Sequence, residues 1–359
     1  MLLWGGLGSD PEPLTMRTLL ALLALIMTID HTDAQERQQG PERNIRLMTY
    51  NVLRYGDDCQ GPAAKLGRYL TTIVEYARPD ILALVKVGVP GRIAPVRFEE
   101  QVEKTLNAAA RVQYATCPVT NRADGDDVQM LFYNAALFRF ISVEAMISLR
   151  TDFDMYRLRP VKATDEAHDL YLVVIHTESG DNSKGRDKEL KSLADALNSR
   201  FPKGGNVVIM GDFNLRSTAE AGYKALTQKG DAATRFADPP FALDGTLSYP
   251  ADWAKNPEDY AAFLTTSTRE REDQPNRCGT GGGARLWFDR ILLSPVMTSG
   301  KGQYNYVKGS YQTVGNDGQR LGRSANSASP ENHSVPKEVS EAIYQFSNKY
   351  PVMLELEMR

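Results

Sequence analysis

The sequence has little cysteine, little histidine and no excess of basic charge, and each shortage argues against a class of protein. Three cysteines and four histidines occur in 359 residues. None forms a CxxC pair or a Cys/His cluster with zinc-ligand spacing, so a structural zinc site is not expected. The 42 Lys and Arg are matched by 45 Asp and Glu, giving a net charge of −3. This balance argues against a protein that coats nucleic acid, although a local basic site stays open.

The N-terminus carries a pattern typical of an export signal. Met16 and Arg17 precede an apolar run at residues 18–27, and polar and small residues follow as far as Gln35. The run is too short to span a bilayer, and its charged start and small-residue end are those of a cleavable signal peptide. Translation from Met1 and translation from Met16 both stay open.

These features predict three parts of the chain. Residues 1–35 are expected to be an N-terminal extension and signal peptide, residues 36–43 a flexible leader, and residues 44–359 one folded domain. We expect the mature domain to be secreted or periplasmic, monomeric and without a transmembrane anchor. Export brings every cysteine into an oxidising compartment, where one pair could form a disulfide and one thiol would be left over. Their pairing cannot be read from the sequence: Cys59, Cys117 and Cys278.

Short apolar runs between turn signals dominate the domain and predict more strands than helices. Strands are predicted at residues 45–52, 81–87, 128–133, 138–147, 170–175, 207–210, 287–293 and 352–357. Helices are predicted at residues 63–77, 185–201 and 218–227. Strands and helices do not alternate strictly, so the pattern favours mixed sheets flanked by helices over a Rossmann sheet. Two long Gly-, Asn- and Ser-rich connections, 230–283 and 301–336, are candidate binding loops.

The most specific motif is NVVIMGDFN at residues 206–214. Its buried strand delivers Asp212 and Asn214 to the edge of a sheet. A carboxylate there can orient an attacking water, and an amide there can bond a phosphate oxygen, as phosphodiester hydrolysis requires. The alternative is a strand that simply ends in an Asx turn.

Three further motifs follow the same order along the chain: TYNV ending at Val52, His176 at the end of a strand, and FDRIL beginning at Phe288. Together with GDFN, they resemble the endonuclease/exonuclease/phosphatase superfamily, which includes DNase I-like nucleases, sphingomyelinases and inositol phosphatases. The resemblance implies a four-layer α/β sandwich, in which two packed mixed β-sheets are flanked by helices and the site lies at one end of the sheets.

The resemblance also implies roles for individual side chains. Four would act on the substrate phosphate or on the attacking water: His176, Asp212, Asn214 and Tyr133. Asp289 would be the catalytic residue that orients the histidine that active relatives carry where this chain has Lys349. Asn51 would help to hold the Mg²⁺ site of the family. Ordinary structural roles stay open for several of them, because Asn after a strand is commonly a turn residue, and histidine or tyrosine in a strand is commonly part of the core.

The pattern breaks at three positions. The resemblance calls for a Glu where this chain has Lys86, and for Ser-Asp-His where it has Ser347-Asn348-Lys349. An ammonium group cannot ligate Mg²⁺ and repels it, and lysine lacks the near-neutral titration of histidine. We therefore expect no Mg²⁺, or weakly bound Mg²⁺. We also expect Lys86 to pair with Asp212 or Asp289, and Lys349 to pair with Asp289.

Three functions remain compatible with this sequence. The first is a catalytically impaired relative of the superfamily that keeps a cleft for a phosphate-containing ligand or nucleic acid. The second is a nuclease or phosphatase that is still active through a rearranged metal site. The third is an exported interaction module that uses its long loops on an inert scaffold. The substrate cannot be named, because one scaffold of this kind serves many substrates through loop variation.

Overall fold

The computed structural model describes residues 43–57, 61–88, 98–108, 111–229, 232–272 and 279–359. The predicted signal peptide and nearly all of the leader lie outside these residues, as do Cys59 and Cys278. Cys117 is buried and has a free thiol. None of the helices within the described ranges is long and apolar enough to cross a membrane.

In the described ranges, twelve strands build two sheets. They are β1 (Arg43–Tyr55), β2 (Ile81–Gly88), β3 (Tyr114–Thr116), β4 (Asp127–Asn134), β5 (Phe138–Ser148), β6 (Asp152–Pro160), β7 (Leu170–His176), β8 (Val207–Asp212), β9 (Asp289–Leu293), β10 (Tyr304–Tyr306), β11 (Gln312–Thr313) and β12 (Val352–Met358). The first sheet has the order β10-β12-β1-β2-β4-β3, with β11 also paired to β12, and the second has the order β5-β6-β7-β8-β9. Both sheets are mixed, because β1 and β2 run parallel, as do β7 and β8, whereas β2 and β4, β6 and β7, and β8 and β9 run antiparallel.

The helices among the described residues are α1 (Ala63–Ala77), α2 (Phe98–Asn107), α3 (Ser183–Arg200), α4 (Ala221–Thr227), α5 (Pro239–Ala242) and α6 (Lys337–Phe346), with 3-10 turns at Glu166–His168, Ala232–Thr234, Pro257–Phe263 and Pro295–Thr298. Helix α1 buries a stripe of Leu66, Leu70 and Ile73 at spacings of three and four, which is the pattern of a helix that packs one face on a core. It ends at Arg78, whose left-handed backbone caps it ahead of Pro79.

The two sheets pack face to face, with β2 and β4 of the first sheet against β6, β7 and β8 of the second. Helix α1 packs on α6, and α3 packs on α4. The predicted α/β sandwich of two packed mixed sheets with flanking helices is therefore confirmed. All eight predicted strands and all three predicted helices are present. The pattern missed several elements, including β6, α2 and α6.

Candidate functional site

One imidazole and two carboxyl side chains lie beside one another on neighbouring strands of the second sheet. His176 ends β7, Asp212 ends β8 beside it, and Asp289 begins β9 beside Asp212. Gly211 allows this close pairing: its φ is 141°, and a Cβ there would lie 2.0 Å from the carbonyl oxygen of Ile175. The GDFN motif therefore needs its glycine to bring the end of β8 against the end of β7.

Asp212 is buried and accepts three hydrogen bonds. The Nδ2 of Asn51 donates to its Oδ2 at 2.7 Å, the Nζ of Lys349 donates to the same oxygen at 3.0 Å, and the backbone N–H of Asn214 donates to its Oδ1 at 3.0 Å. Burial is the largest single influence and raises the pKa of this carboxyl. Attraction by Lys349 and His176 and the hydrogen bonds from Lys349 and Asn51 together outweigh burial and lower the pKa to about 2. Asp212 is therefore ionised, and both of its carboxylate oxygens accept hydrogen bonds from protein donors.

Asp289 pairs with the same ammonium group of Lys349, but at a longer distance than Asp212 does. Its Oδ2 accepts a hydrogen bond from the Oγ1 of Thr265 at 2.7 Å and lies 3.6 Å from the Nζ of Lys349. Its Oδ1 is buried and has no hydrogen-bond partner among the described residues. Burial raises the pKa of Asp289 to about 7, against the attraction of Lys349. One cation thus stabilises two buried carboxylates, the nearer one more strongly.

Lys349 reaches this position from the segment that precedes β12. The hydroxyl of Ser347 donates to the backbone oxygen of Asn51 at 2.7 Å, which ties the segment to the end of β1, and the Nζ of Lys349 lies 4.5 Å from the centre of the Phe288 ring. Burial lowers the pKa of Lys349, but its two carboxylate neighbours raise it by more. The ion pair predicted with Asp289 is present, and a closer one with Asp212 accompanies it.

Lys86 behaves differently from Lys349. Its backbone has a positive φ of 58°, at an irregularity in the pairing of β2 with β4, and its N–H donates to the Oε1 of Gln129 at 3.3 Å. Within the described part of the chain, its half-buried ammonium group makes no ion pair. The predicted ion pair with Asp212 or Asp289 is therefore wrong, because Lys349 occupies that position. Burial and then repulsion from Lys349 lower the pKa of Lys86.

His176 is held by a residue that the sequence analysis did not identify. Its Nδ1 lies 3.1 Å from the Oδ1 of Asp127, the first residue of β4, and both side chains are buried. Arg150 lies beside them, with its Nη2 donating to the backbone oxygen of His176 at 2.7 Å and its Nη1 3.9 Å from Asp127. Burial raises the pKa of Asp127, but His176 and Arg150 lower it overall. The one local signal was the pair of acidic residues that precedes β4.

Three other predicted residues point elsewhere. The Nδ2 of Asn214 donates to the backbone oxygen of Thr177 at 3.0 Å, so this amide closes a turn. The Nδ2 of Asn348 donates to the Oγ1 of Thr280 at 2.8 Å. Tyr133 pairs with Ile81, at the start of β2, whereas the site lies at the end of that strand. Six residues of β4, roughly 20 Å at the usual rise per residue, separate Tyr133 from Asp127. The structure does not bring Tyr133 to the site.

A divalent cation does not fit the residues that are present. Across the described ranges, no group of three or more His, Cys, Asp or Glu side chains could hold a metal ion. Mg²⁺ needs several oxygen ligands, and the ammonium group of Lys349 stands where Asp212 and Asp289 would offer theirs. A separate cavity of about 650 Å³ lies at the other end of the second sheet, beside Tyr171 and Asn206, and no residue of the site lines it.

Comparison with known proteins finds the fold and no close relative. No protein-family model and no curated protein matches the chain. Among solved structures, the human Nocturnin catalytic domain with bound sulfate is similar at 13% identity and a TM-score of 0.54, covering 88% of this chain and 95% of that one. An endonuclease/exonuclease/phosphatase family protein from Bacteroides thetaiotaomicron is similar at 12% identity and a TM-score of 0.52, covering 89% and 100%.

A mannosyl-6-phosphatase from the same bacterium is similar at 12% identity and a TM-score of 0.51, covering 87% of this chain and 99% of that one. Likenesses at such low identity establish the fold and not the activity. The predicted DNase I-like fold is thereby confirmed.

Proposed function

We propose that this chain is an exported relative of the endonuclease/exonuclease/phosphatase superfamily that binds a phosphate-bearing ligand and has lost metal-dependent hydrolysis. One observation carries the proposal: the Nζ of Lys349 lies 3.0 Å from Asp212 and 3.6 Å from Asp289. A lysine of the chain itself thus supplies the positive charge that a metal would bring. Asp212 and Asp289 thereby share a cationic partner without any metal ion.

Loss of hydrolysis follows from the hydrogen bonds and ion pairs that the side chains of the site already make. A general base must have a free lone pair within reach of the water that it deprotonates. Asp212 accepts bonds from Asn51, Lys349 and the backbone of Asn214, and it is buried. Because its carboxylate neighbours raise its pKa, Lys349 is protonated at neutral pH and cannot act as a base. Neither group is free to activate water.

Phosphate binding is supported by the cations at the rim of the site. Lys86 and Arg150 are the site's partly exposed cations, and neither is neutralised by a short ion pair of its own. With Lys349, they give three positive charges, against the carboxylates of Asp127 and Asp212 and the partly ionised carboxyl of Asp289, whose pKa burial raises to about 7. A local surplus of positive charge attracts a phosphate dianion, and lysine and arginine are both good phosphate ligands.

Hydrolysis assays and Mg²⁺ calorimetry on the same preparations test the proposal. We expect the wild-type chain to release no product from bis(p-nitrophenyl) phosphate or DNA with Mg²⁺ or Mn²⁺, to bind no Mg²⁺, and to bind inorganic phosphate. The combined variant Lys86→Glu, Asn348→Asp, Lys349→His should gain both Mg²⁺ binding and hydrolysis. Adding Asp212→Ala to it is the matched control and should abolish that gain. Wild-type Mg²⁺ binding, with activity that Asp212→Ala removes, would refute the proposal.

A hydrolase that is still active is the second candidate, because the buried pair of His176 and Asp127 has the geometry of an oriented acid-base residue. Turnover that survives a chelator and disappears in His176→Ala would favour it. An interaction module is the third candidate. It would be favoured if the restored variant folds, stays inactive and binds no phosphate, because the long connections at 230–283 and 301–336 would then be the remaining functional surface.

A further inference from the structure

Two buried carboxyl groups at the start of β6 share one hydroxyl donor. Asp152 and Asp154 are 4% and 0% exposed, and the Oγ1 of Thr120 lies 2.5 Å from the Oδ2 of Asp152 and 2.6 Å from the Oδ1 of Asp154. A threonine hydroxyl has a single proton, so it can donate fully to only one of these oxygens. Asp152 has further donors, because it accepts from the backbone N–H groups of Arg122 at 2.6 Å and Ala123 at 2.9 Å. Asp154 is therefore the carboxyl group that is short of donors.

Asp154 has only shared donors among the described residues. Its Oδ2 lies 3.3 Å from the hydroxyl of Tyr156, and that hydroxyl is also 3.3 Å from the backbone oxygen of Gln129. No Lys, Arg or His in the described ranges forms an ion pair with it. A buried carboxylate that shares both of its donors and has no cation is unfavourable. One added proton on its Oδ1 completes the network, because Asp154 then donates to Thr120 and Thr120 donates to Asp152.

Asp152 anchors a segment, residues 120–125, that packs beside the site. The side chain of Asn121 closes this segment, donating to the backbone oxygen of Gly125 at 3.2 Å and accepting from the N–H of Gly125 at 2.9 Å. A Cβ at Gly125 would lie 2.9 Å from the backbone oxygen of Arg150. The segment that Asp152 holds is therefore in direct contact with the backbone of Arg150.

The same network continues into the site through His176. Its backbone oxygen accepts from the Nη2 of Arg150 at 2.7 Å and from the Oγ1 of Thr151 at 3.1 Å. These two residues immediately precede Asp152 in the chain. Asp127, two residues after the segment, lies 3.1 Å from the Nδ1 of His176. Displacement of the segment would therefore shift Arg150, a cation at the rim of the site.

We propose that Asp154 carries a proton in the form of the chain that binds phosphate, and that this proton makes Asp154 a positioning residue for Arg150. With the proton in place, Thr120 donates to Asp152, and residues 120–125 are held against the backbone of Arg150. Loss of the proton leaves two adjacent carboxylates with one hydroxyl between them, and their repulsion loosens the segment. The inference rests on the proposed phosphate binding and adds its control by pH.

The surroundings of Asp154 set the pH at which the proton is lost. Its partners across the sheet, Ala145 on β5 and Val174 on β7, are not titratable. Burial and, to a lesser degree, the charge of Asp152 raise the pKa of Asp154 to about 7, against the hydrogen bond from Thr120. The proton is therefore mostly present at pH 6 and mostly lost at pH 8. The titratable or charged groups that act on Asp154, or on the Tyr156 beside it, are Asp152, Arg122, Tyr156, Cys117 and Glu99.

Calorimetric titration of the whole chain with sulfate at pH 6 and pH 8 tests the inference. Sulfate keeps its two charges over this range, whereas phosphate changes its charge. In Asp154→Asn, the amide donates to Thr120 as the protonated acid does, and it cannot ionise. We expect this variant to bind sulfate as the wild type does at pH 6, and up to about tenfold more tightly than the wild type at pH 8. Asp195→Asn, at an exposed position of α3, is the matched control and should follow the wild type at both pH values.

Comparison of the two chains at the same pH removes the contribution of Asp289, whose pKa is also about 7. Infrared spectroscopy detects the proton itself: the wild type should show a protonated-carboxyl signal at pH 6 that Asp154→Asn lacks, and should lose it by pH 8. Absence of this signal at pH 6, or equal sulfate affinities of the two chains at pH 8, would overturn the inference and leave the proposed function standing. A folded wild type that binds neither sulfate nor phosphate at either pH would overturn the proposed function, and the positioning role with it.

Discussion

The two sheets contribute opposite halves of the site. The second sheet supplies His176, Asp212 and Asp289, side by side on β7, β8 and β9, and all three match the residues that the sequence resemblance calls for. The first sheet supplies the ends of β1 and β2 and the segment before β12. There, Asn51 matches, but Lys86 and Lys349 replace acidic and imidazole groups.

This difference shows how a site can lose one set of groups without the other becoming unstable. Asp212 and Asp289 are buried at 1% and 0% exposure, and two buried carboxylates side by side require a cation. Lys349, on the opposite sheet, provides it. The acidic half is therefore retained as a structural ion-pair network, whatever becomes of the chemistry. The two lysines should then differ, because Lys349 belongs to that network and Lys86 does not.

Replacing Lys349 with Met should have the largest effect. It leaves Asp212 and Asp289 without their shared cation, and breaking a buried ion pair from one side costs about 3 to 5 kcal/mol. Urea unfolding at pH 7 would measure this loss of unfolding free energy. Lys65→Met, at an exposed position of α1, is the control and should change it by less than about 0.5 kcal/mol. Equal effects of the two substitutions would break the comparison.

Replacing Asp127 with Asn should have the next largest effect. Asp127 belongs to the first sheet and holds His176 of the second, so it is a further polar link between the two halves. Its loss removes a buried hydrogen bond between charged or chargeable groups, at a cost of about 2 kcal/mol. Urea unfolding of Asp127→Asn and of Asp126→Asn, whose side chain is exposed, measures the difference. If Asp126→Asn costs as much, the link does not stabilise the fold.

Much of this architecture could be predicted from local patterns. The alternating and continuous apolar runs located the strands, and the GDFN motif put Asp212 at a strand end, where it is found. Parallel pairing then aligned the ends of β7 and β8. These features depend on residues that are close together in sequence, so their physical signals are also local.

The rest of the site depends on long-range pairing, which leaves little local signal. Strand β4 runs antiparallel to β2, so its first residue, Asp127, reaches the site, while Tyr133 near its end lies far away. The sequence did not reveal that direction. Arg150 comes from the connection between β5 and β6, and Thr265 from a long loop, and neither lies in a motif. Lys86 does not form the predicted ion pair, because Lys349 is the lysine that pairs with Asp212.

The free energy of unfolding should change with pH in opposite directions for the carboxyl groups of Asp289 and Asp212. Each group contributes a slope of up to about 1.4 kcal/mol per pH unit. Asp289 has a folded pKa of about 7, above its unfolded value. Its contribution is therefore complete below about pH 4 and is lost as the pH rises to 7. Asp212 has a folded pKa of about 2, below its unfolded value. Its contribution is complete above about pH 4 and is lost as the pH falls towards 2.

The variant Asp289→Asn should accordingly flatten the decline of unfolding free energy between pH 4 and 7, measured by urea unfolding at each pH. The substitution should remove only part of that decline. Glu99 and Asp154 contribute to the decline as well, because burial also raises their pKa values to about 7. Asp244→Asn, far from the site, is the control. If Asp289→Asn leaves the slope unchanged, the carboxyl of Asp289 is ionised throughout this pH range. Lys349 would then stabilise the carboxylates of Asp289 and Asp212 equally.

Replacing Lys86 with Gln should have the smallest effect on stability, and it sharpens the comparison most directly. Glutamine keeps much of the length of the side chain and removes a half-buried charge that has no ion pair in the described part of the chain. Since no Coulombic partner is lost, the unfolding free energy should change by less than about 0.5 kcal/mol or rise slightly. A loss close to that of Lys349→Met would mean that Lys86 also stabilises the buried carboxylates. The two lysines would then form one cationic unit.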